Sequence, residues 1–355
     1  MRRGLIAWSK DEIPEDVLDA RRGRLQAAMR RERLDAVLVH TCFPRPAAVS
    51  WLTNFVPYWS EALLIVLPDG PPVMLASLSK RVHGWIREVS HMGEIVAAPH
   101  LGRGAAQVLG RVFKGDGRRR IGVVGLSGFA RTHAEPVLQA YGADCLVDTT
   151  ALFSAVRQPA DAAEIALIGR ATAIAEAALA AAPRDAATAG AIAAAIDQSA
   201  RAAGAEECIV LIAPDLAKDA TPRRIEGDEA LGARYAVQAS VAYKAAWTRL
   251  ARCCPRDGRV PESRRAADIW FDAAIRSLPA GGLASWPDRA GPPPGTLSDW
   301  MVESCIGPSP LSPVAAMGRP LIHALPPGSA AVLSVRMATA DGPWLRAAPL
   351  TLAGA

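Results

Sequence analysis

The sequence predicts a two-domain protein of mixed α/β class, an α/β first half followed by an α+β second half. Three observations predict it. The chain has 355 residues, and a single hydrophobic core rarely grows past about 250–300 residues. From Asp16 to Asp148, apolar runs of strand length alternate with amphipathic segments, the order of an α/β domain. From Leu152 onward, two helical segments lead to a long strand-rich stretch, Leu231–Cys253, around which the second half is organised. The domains expected are residues 1–151 and 152–355.

Composition narrows the function classes. Half the residues are hydrophobic and 21% are charged, which describes a globular chain and excludes a disordered one. The net charge is +5, but arginine falls in short runs such as Arg30-Arg31 and Arg118-Arg119-Arg120. A nucleic-acid binder concentrates its basic residues on one stripe interleaved with aromatics, so nucleic acid is not an expected partner. The first residues carry Arg2 and Arg3 but no apolar core before Asp11 and Glu12, so no signal peptide is expected. No apolar run reaches the roughly 18 residues of a membrane span. The six cysteines form no CxxC pair, and a reducing, cytoplasmic setting is expected.

The elements follow in order. Asp16–Arg33 keeps Leu18, Leu25, Ala28 and Met29 on one face, an amphipathic helix. Ala36–His40 is a continuous apolar run, the signature of a buried strand. Val49–Phe55 follows a turn marked by Pro44 and Pro46. Leu63–Leu67, the Pro68–Pro72 turn and Val73–Ala76 form a hairpin. Ser79–Val89 is helical with His83 on its surface, Ile95-Val96 a short strand, and Ala105–Phe113 a helix. Arg120–Gly125 is a buried strand, Ala134–Tyr141 a helix and Cys145–Asp148 a strand.

In the second half Asp161 is placed to cap a helix whose Ile165, Ile168, Ala175 and Leu179 share a face. A second helix over Ala187–Ala203 ends at Gly204. Cys208–Ala213 is a strand. Within Leu231–Cys253, Tyr235–Val237 and Ser240–Tyr243 are short strand pieces, with a tight connection near Lys244-Ala245. A helix over Ala266–Leu278, a Pro/Gly-rich loop over Pro279–Gly295, and strands Ala331–Val335 and Leu345–Leu352 complete the chain.

The segment LGARYAVQASVAYKAAWTRLARC resembles the strand pair that carries two metal-binding aspartates in creatinase, prolidase and aminopeptidase P, peptidase family M24. The family pattern is close to L-x-G-D-x-V-x-V-D-x-G-x-x-Y-x-G-Y-x-x-D-x-T-R. Leu231, Val237, Tyr243, Leu250 and Arg252 keep its frame. The first half is similar to the family's N-terminal domain through the ordered series DAVLV, WLTNF, LLIVLPDG and RIGVVG, and LFSAVRQPADAAEIALIGRATAIAEAAL resembles its linker helix. The resemblance implies a creatinase-like N-terminal α/β domain followed by a C-terminal pita-bread domain, and a homodimer.

In the family, two Asp, one His and two Glu hold two divalent metals. The resemblance puts Gln238 and Arg249 at the Asp positions, Ser304 at or near the His, and Arg336 and Arg346 at the Glu positions. No Asp or Glu lies between Leu231 and Pro255, and no His lies between His133 and His323. Paired carboxylates are what hard and borderline cations require. Neither a metal nor another cofactor is therefore expected, and a Ser-His-Asp triad or His-based acid–base route loses its imidazole.

Arginines without acids beside them repel one another unless an anion intervenes. The expected ligand is thus a small carboxylate- or phosphate-bearing molecule held by Arg249, Arg336 and Arg346, with Arg252 assisting. Tyr243, Trp247 and Lys244 flank the altered segment. Asp215 and Asp219 are the acids expected nearest the cleft. In relatives, the loop after the YLTGF motif reaches toward a neighbouring subunit, which makes Tyr58, Trp59 and Glu61 candidates for a ligand pocket. Two functions remain open: a metal-independent hydrolase-like or repurposed enzyme, or a catalytically inert protein binding a ligand or partner.

Overall fold

The computed structural model describes residues 7–42, 45–57, 60–115, 117–183, 185–278, 283, 285–306, 311–319 and 324–352. The chain divides into two compact units, the first running to Arg157 and the second starting at Gln158.

The first unit contains α1 (Glu15–Arg31), β1 (Ala36–Cys42), α2 (Ala47–Thr53), β2 (Glu61–Val66), β3 (Val73–Ala76), α3 (His83–Val89), β4 (Ile95–Ala97), α4 (Leu101–Val112), β5 (Ile121–Val124), α5 (Arg131–Tyr141), β6 (Leu146–Asp148) and α6 (Thr150–Val156). Its sheet has the order β4-β3-β2-β1-β5-β6. The β1–β2 and β2–β3 pairs are antiparallel, while β3–β4, β1–β5 and β5–β6 are parallel. Strand side chains alternate between faces, and both faces are covered. Ala36 and Leu38 pack with Leu101, Ala105 and Val137 of α4 and α5. Val37 and Val39 pack with Leu25, Met29, Val49 and Phe153 from α1, α2 and α6. That double burial is why β1 reads as an unbroken apolar run.

The Val49–Phe55 stretch, given no element from the sequence, lies mostly in a short helix, which ends where Asn54 adopts φ +63° and donates its backbone amide to the Ser50 carbonyl. One expectation changes here. His83 is not a surface residue: it is buried, 7% exposed, at the start of α3.

The second unit contains α7 (Ala162–Ala180), α8 (Ala189–Ala202), β7 (Glu207–Ala213), β8 (Arg234–Tyr243), β9 (Ala246–Pro255), α9 (Glu262–Ser277), α10 (Trp286–Arg289), β10 (Thr296–Ser304), β11 (Ser312–Ala316), β12 (Ala330–Thr339) and β13 (Gly342–Thr351). Asp161 caps α7, its carboxylate accepting from the Glu164 amide at 2.9 Å. Thr188 caps α8 in the same way at 3.3 Å, and Gly204 turns the chain at φ +101°.

The strands form one antiparallel sheet of order β11-β10-β12-β13-β9-β8-β7. Helices cover one of its faces. Tyr235, Val237, Ala239, Val241 and Leu250 pack with α7 and α8. Trp300, Val302, Leu333, Val335 and Trp344 pack with Phe271 and Ala274 of α9 and with Trp286 of α10.

The β8–β9 hairpin corrects the two-piece reading of its first strand. Strand β8 runs unbroken through Gln238 and Ala239, because Ala239 is as deeply buried as its apolar neighbours and extends the same helix-facing row. The turn does fall at Lys244-Ala245, with φ +47° and +63°, the doubly left-handed geometry whose twist suits a two-residue hairpin. Two non-glycine residues tolerate it with help from Glu206, whose carboxylate accepts the amides of Lys244 at 2.8 Å and Ala245 at 3.1 Å.

Candidate functional site

The sheet face opposite the helices of the second unit holds a cavity of about 170 Å³. Its lining includes Gln238 from β8, Arg249 from β9, Asp299 from β10, and Ser334 and Arg336 from β12. Period-two alternation brings them to one face: the odd-numbered residues of β8 and β12 pack under the helices, so Gln238, Ser334 and Arg336 point the other way.

Two arginines there are not the acid-free groups expected from the sequence. Arg249 forms an ion pair with Glu303 and donates through Nε to the Ser240 hydroxyl at 3.0 Å. The Glu303 side chain is only 4% exposed. Burial pushes its carboxyl above the ordinary range, and Arg249 pulls it back down. Arg346 departs further. It follows Leu345 on β13, one position out of phase; the residue borders the cavity, but its guanidinium binds Asp268 and Asp272 of α9 at 3.4 and 2.8 Å on the helix-covered side. The β13 residues in register with Arg336 and Ser334 are Leu345 and Ala347, which offer no charge.

Arg336 differs from both. Among the described residues it makes no hydrogen bond or ion pair, and Asp299 stands directly across from it on β10. The buried Ser334 hydroxyl, two residues away on the same face, has no hydrogen-bond partner among the described residues. Asp299 was not legible as a site residue, because β-pairing alone carries it to Arg336.

The remaining candidates do not join this cavity. Arg252 lies on the α7 side of β9, donates to the Leu179 carbonyl and lines a different cavity of about 400 Å³ with Arg264 and Asp268. Tyr243 packs beside α7 and α8, with Arg170 5.9 Å from its ring centre. Trp247 is buried at 6% exposure. Asp215 and Asp219 are not among the residues that line the cavity, and each carboxylate accepts a backbone amide two residues on, Ala217 and Thr221. The Thr221 amide holds the Asp219 carboxyl below the ordinary range, and Asp219 is near enough to Arg336 for the guanidinium to help. Ser304 is buried, its hydroxyl bonded to Ile306. Burial pushes the Cys253 thiol up to about 11, which removes it as a nucleophile near neutral pH.

Tyr58 and Trp59 lie outside the described residues. Glu61 belongs to the first unit, where it meets His40 and His133.

Comparison with known proteins agrees with this architecture. Residues 21–159 match the Creatinase/Prolidase N-terminal domain family. Over 92% of this chain and 95% of its own, the X-Pro aminopeptidase from Thermotoga maritima MSB8 is similar, with a TM-score of 0.72 and 14% identity. The prolidase from Pyrococcus horikoshii OT3 gives 0.69 and 14% identity, covering 94% of this chain and 95% of the other. The N-terminal domain of FACT complex subunit SPT16 from Cicer arietinum gives 0.65 and 13% identity over 96% and 94%. No curated protein sequence matches the chain. The chain therefore carries a creatinase/prolidase N-terminal domain, followed by a sheet domain with the pita-bread architecture of prolidases and X-Pro aminopeptidases.

Proposed function

We propose that the cavity on the open face of the second unit binds a small carboxylate-bearing molecule and does not work as a dinuclear metal centre. One observation carries this reading: Arg336, the Gln238 amide and the partnerless Ser334 hydroxyl all line the same cavity. A carboxylate accepts hydrogen bonds from all three, and guanidinium matches its planar geometry. Asp299 on the same wall repels a second anionic group and attracts a cationic one. The preferred ligand is therefore an amino-acid-like zwitterion rather than a dicarboxylate, and a volume of about 170 Å³, below the roughly 300–1,000 Å³ of drug-sized pockets, limits it to a molecule of a few heavy atoms.

The donor set does not fit a pair of divalent cations. Among the named lining side chains Asp299 is the single carboxylate, and the positions around it hold an amide, a hydroxyl and guanidiniums. Two bridged metals require several anionic oxygens. Catalysis is supported less than binding, since no histidine occurs between Gln158 and Ile306 to act as an acid–base group near neutral pH. Prolidase, X-Pro aminopeptidase and FACT-subunit domains share this fold, so the fold alone does not carry an activity.

Calorimetric titration with glycine, acetate, succinate and phosphate tests the reading. Glycine is expected to bind most tightly, and Arg336→Ala to weaken it by at least about tenfold, the scale of a charge-assisted hydrogen bond. Absence of binding by all four probes overturns the proposal, as does binding unchanged in Arg336→Ala. Stoichiometric manganese, cobalt or zinc that is lost on Asp299→Asn also overturns it.

A further inference from the structure

The geometry points to a mononuclear site for a zinc-class divalent cation in the first unit, held by His40, Glu61 and His133. The three residues come from different elements. His40 lies near the carboxyl end of β1, and Glu61 opens β2. Antiparallel pairing sets Glu61 opposite Cys42 and His40 opposite Leu63, which leaves His40 and Glu61 as diagonal neighbours on one sheet face. That face is covered by α4 and α5, and the first turn of α5 supplies His133.

Both imidazoles aim Nε2 at the same carboxylate oxygen. His40 Nε2 lies 3.0 Å from Glu61 Oε2, and His133 Nε2 lies 3.3 Å from it. All three donor atoms fall within 4.8 Å of one another. A tetrahedral ion with bonds of about 2.0–2.1 Å spaces its ligands roughly 3.4 Å apart, so two of the three edges already have nearly that length. Two nitrogens and one carboxylate oxygen form a donor set that suits zinc and its borderline neighbours, not calcium or magnesium.

Burial adds a second argument. The His133 side chain is 8% exposed and that of His40 19%, whereas Glu61 keeps 43%. The imidazoles are thus held in place by packing, and the carboxylate keeps a route to solvent. Three protein ligands leave at least one coordination position for water or an incoming molecule.

The surroundings are those of a binding site. His40 also lines a cavity of about 460 Å³ with Arg45, Gly125, Ser127 and Asp148. These residues follow, or end, the parallel strands β1, β5 and β6 at their carboxyl ends. The crevice beyond those ends is where open α/β sheets bind ligands. A cation at its edge places a Lewis acid beside a polar, arginine-containing cavity.

The test uses the full chain stripped of metal and titrated calorimetrically with zinc chloride and with cobalt chloride. One equivalent of each is expected, and the cobalt protein is expected to show d–d bands without thiolate charge transfer. Glu61→Gln keeps the shape of the partly exposed side chain and is expected to weaken zinc binding at least about tenfold. His40→Asn is expected to weaken it further, with circular dichroism showing that both variants fold. His133→Asn is expected to do the same, but its buried position makes Glu61→Gln the deciding variant. No stoichiometric uptake overturns the proposal. So does uptake that survives both Glu61→Gln and His40→Asn, or a cobalt spectrum with thiolate bands, which would move the ion to a cysteine.

Discussion

The two units treat buried charge in opposite ways. In the second, Arg249 and Arg346 are both tied to carboxylates of their own unit, Glu303 in one case and Asp268 with Asp272 in the other. Their charge serves the fold, whereas Arg336 forms no such ion pair among the described residues. In the first, a single partly exposed carboxylate is shared by two imidazoles. Ion pairs satisfied within the protein leave little for a ligand, whereas two imidazole nitrogens converging on one carboxylate oxygen form a ready donor set. The contrast teaches that a count of charged residues around a cleft does not measure its affinity for ions. What matters is which charges are already answered.

The largest effect expected from breaking this contrast is at the buried pair. Arg249→Ala strands the Glu303 carboxylate and should destabilise the protein by about 3–5 kcal/mol at neutral pH, measured by urea unfolding. Removing both partners, Arg249→Ala with Glu303→Ala, should recover part of that loss. A single-variant cost below about 1 kcal/mol would show that Arg249 is not tied to the fold.

The same pair predicts a pH dependence. Burial raises the Glu303 carboxyl above its ordinary 4.5. Between 4.5 and its folded value, the native state binds more protons than the unfolded chain. The contribution of Glu303 is therefore fully present below 4.5 and is lost as pH rises through the folded value. Arg249 opposes the shift, so Arg249→Ala should widen the window. Its deficit should grow from acid toward neutral pH, and unfolding curves at a series of pH values read this directly. A deficit independent of pH would assign the cost to lost packing.

Smaller effects sharpen the other side. Glu61→Gln in metal-free protein should cost about 1 kcal/mol or less, since exposed pairs contribute little. Arg336→Ala should change stability by no more than about 0.5 kcal/mol, because no hydrogen bond or ion pair among the described residues is lost, only an attraction to the exposed Asp219, while the proposed ligand binding should disappear. If Arg336→Ala proves strongly destabilising, Arg336 belongs with Arg249 as a structural residue.

Much of the fold was legible in the residues. The apolar run Ala36–Val39 marked a strand buried on both sides, Asp161 and Gly204 marked helix ends, and Lys244-Ala245 marked the hairpin turn. The family resemblance singled out Gln238, Arg249 and Arg336, and they line one cavity. Arg346 was not legible, because its neighbours in sequence are strand residues whichever face they occupy. A one-residue change of phase sends a side chain through the sheet to the opposite side, and here it sends Arg346 to α9. The role of Arg249 was hidden because its partner Glu303 lies 54 residues away in the chain.

The sequence by itself determined the element types, the class of fold and the residues available for chemistry, since these follow from local periodicity and side-chain identity. Only the tertiary structure decided which charges are answered and which donors converge. Glu61 was a loop-side acid until strand pairing set it diagonal to His40 and α5 delivered His133. Long-range pairing register and helix docking fix such distances, and neither is written in the spacing of residues along one chain.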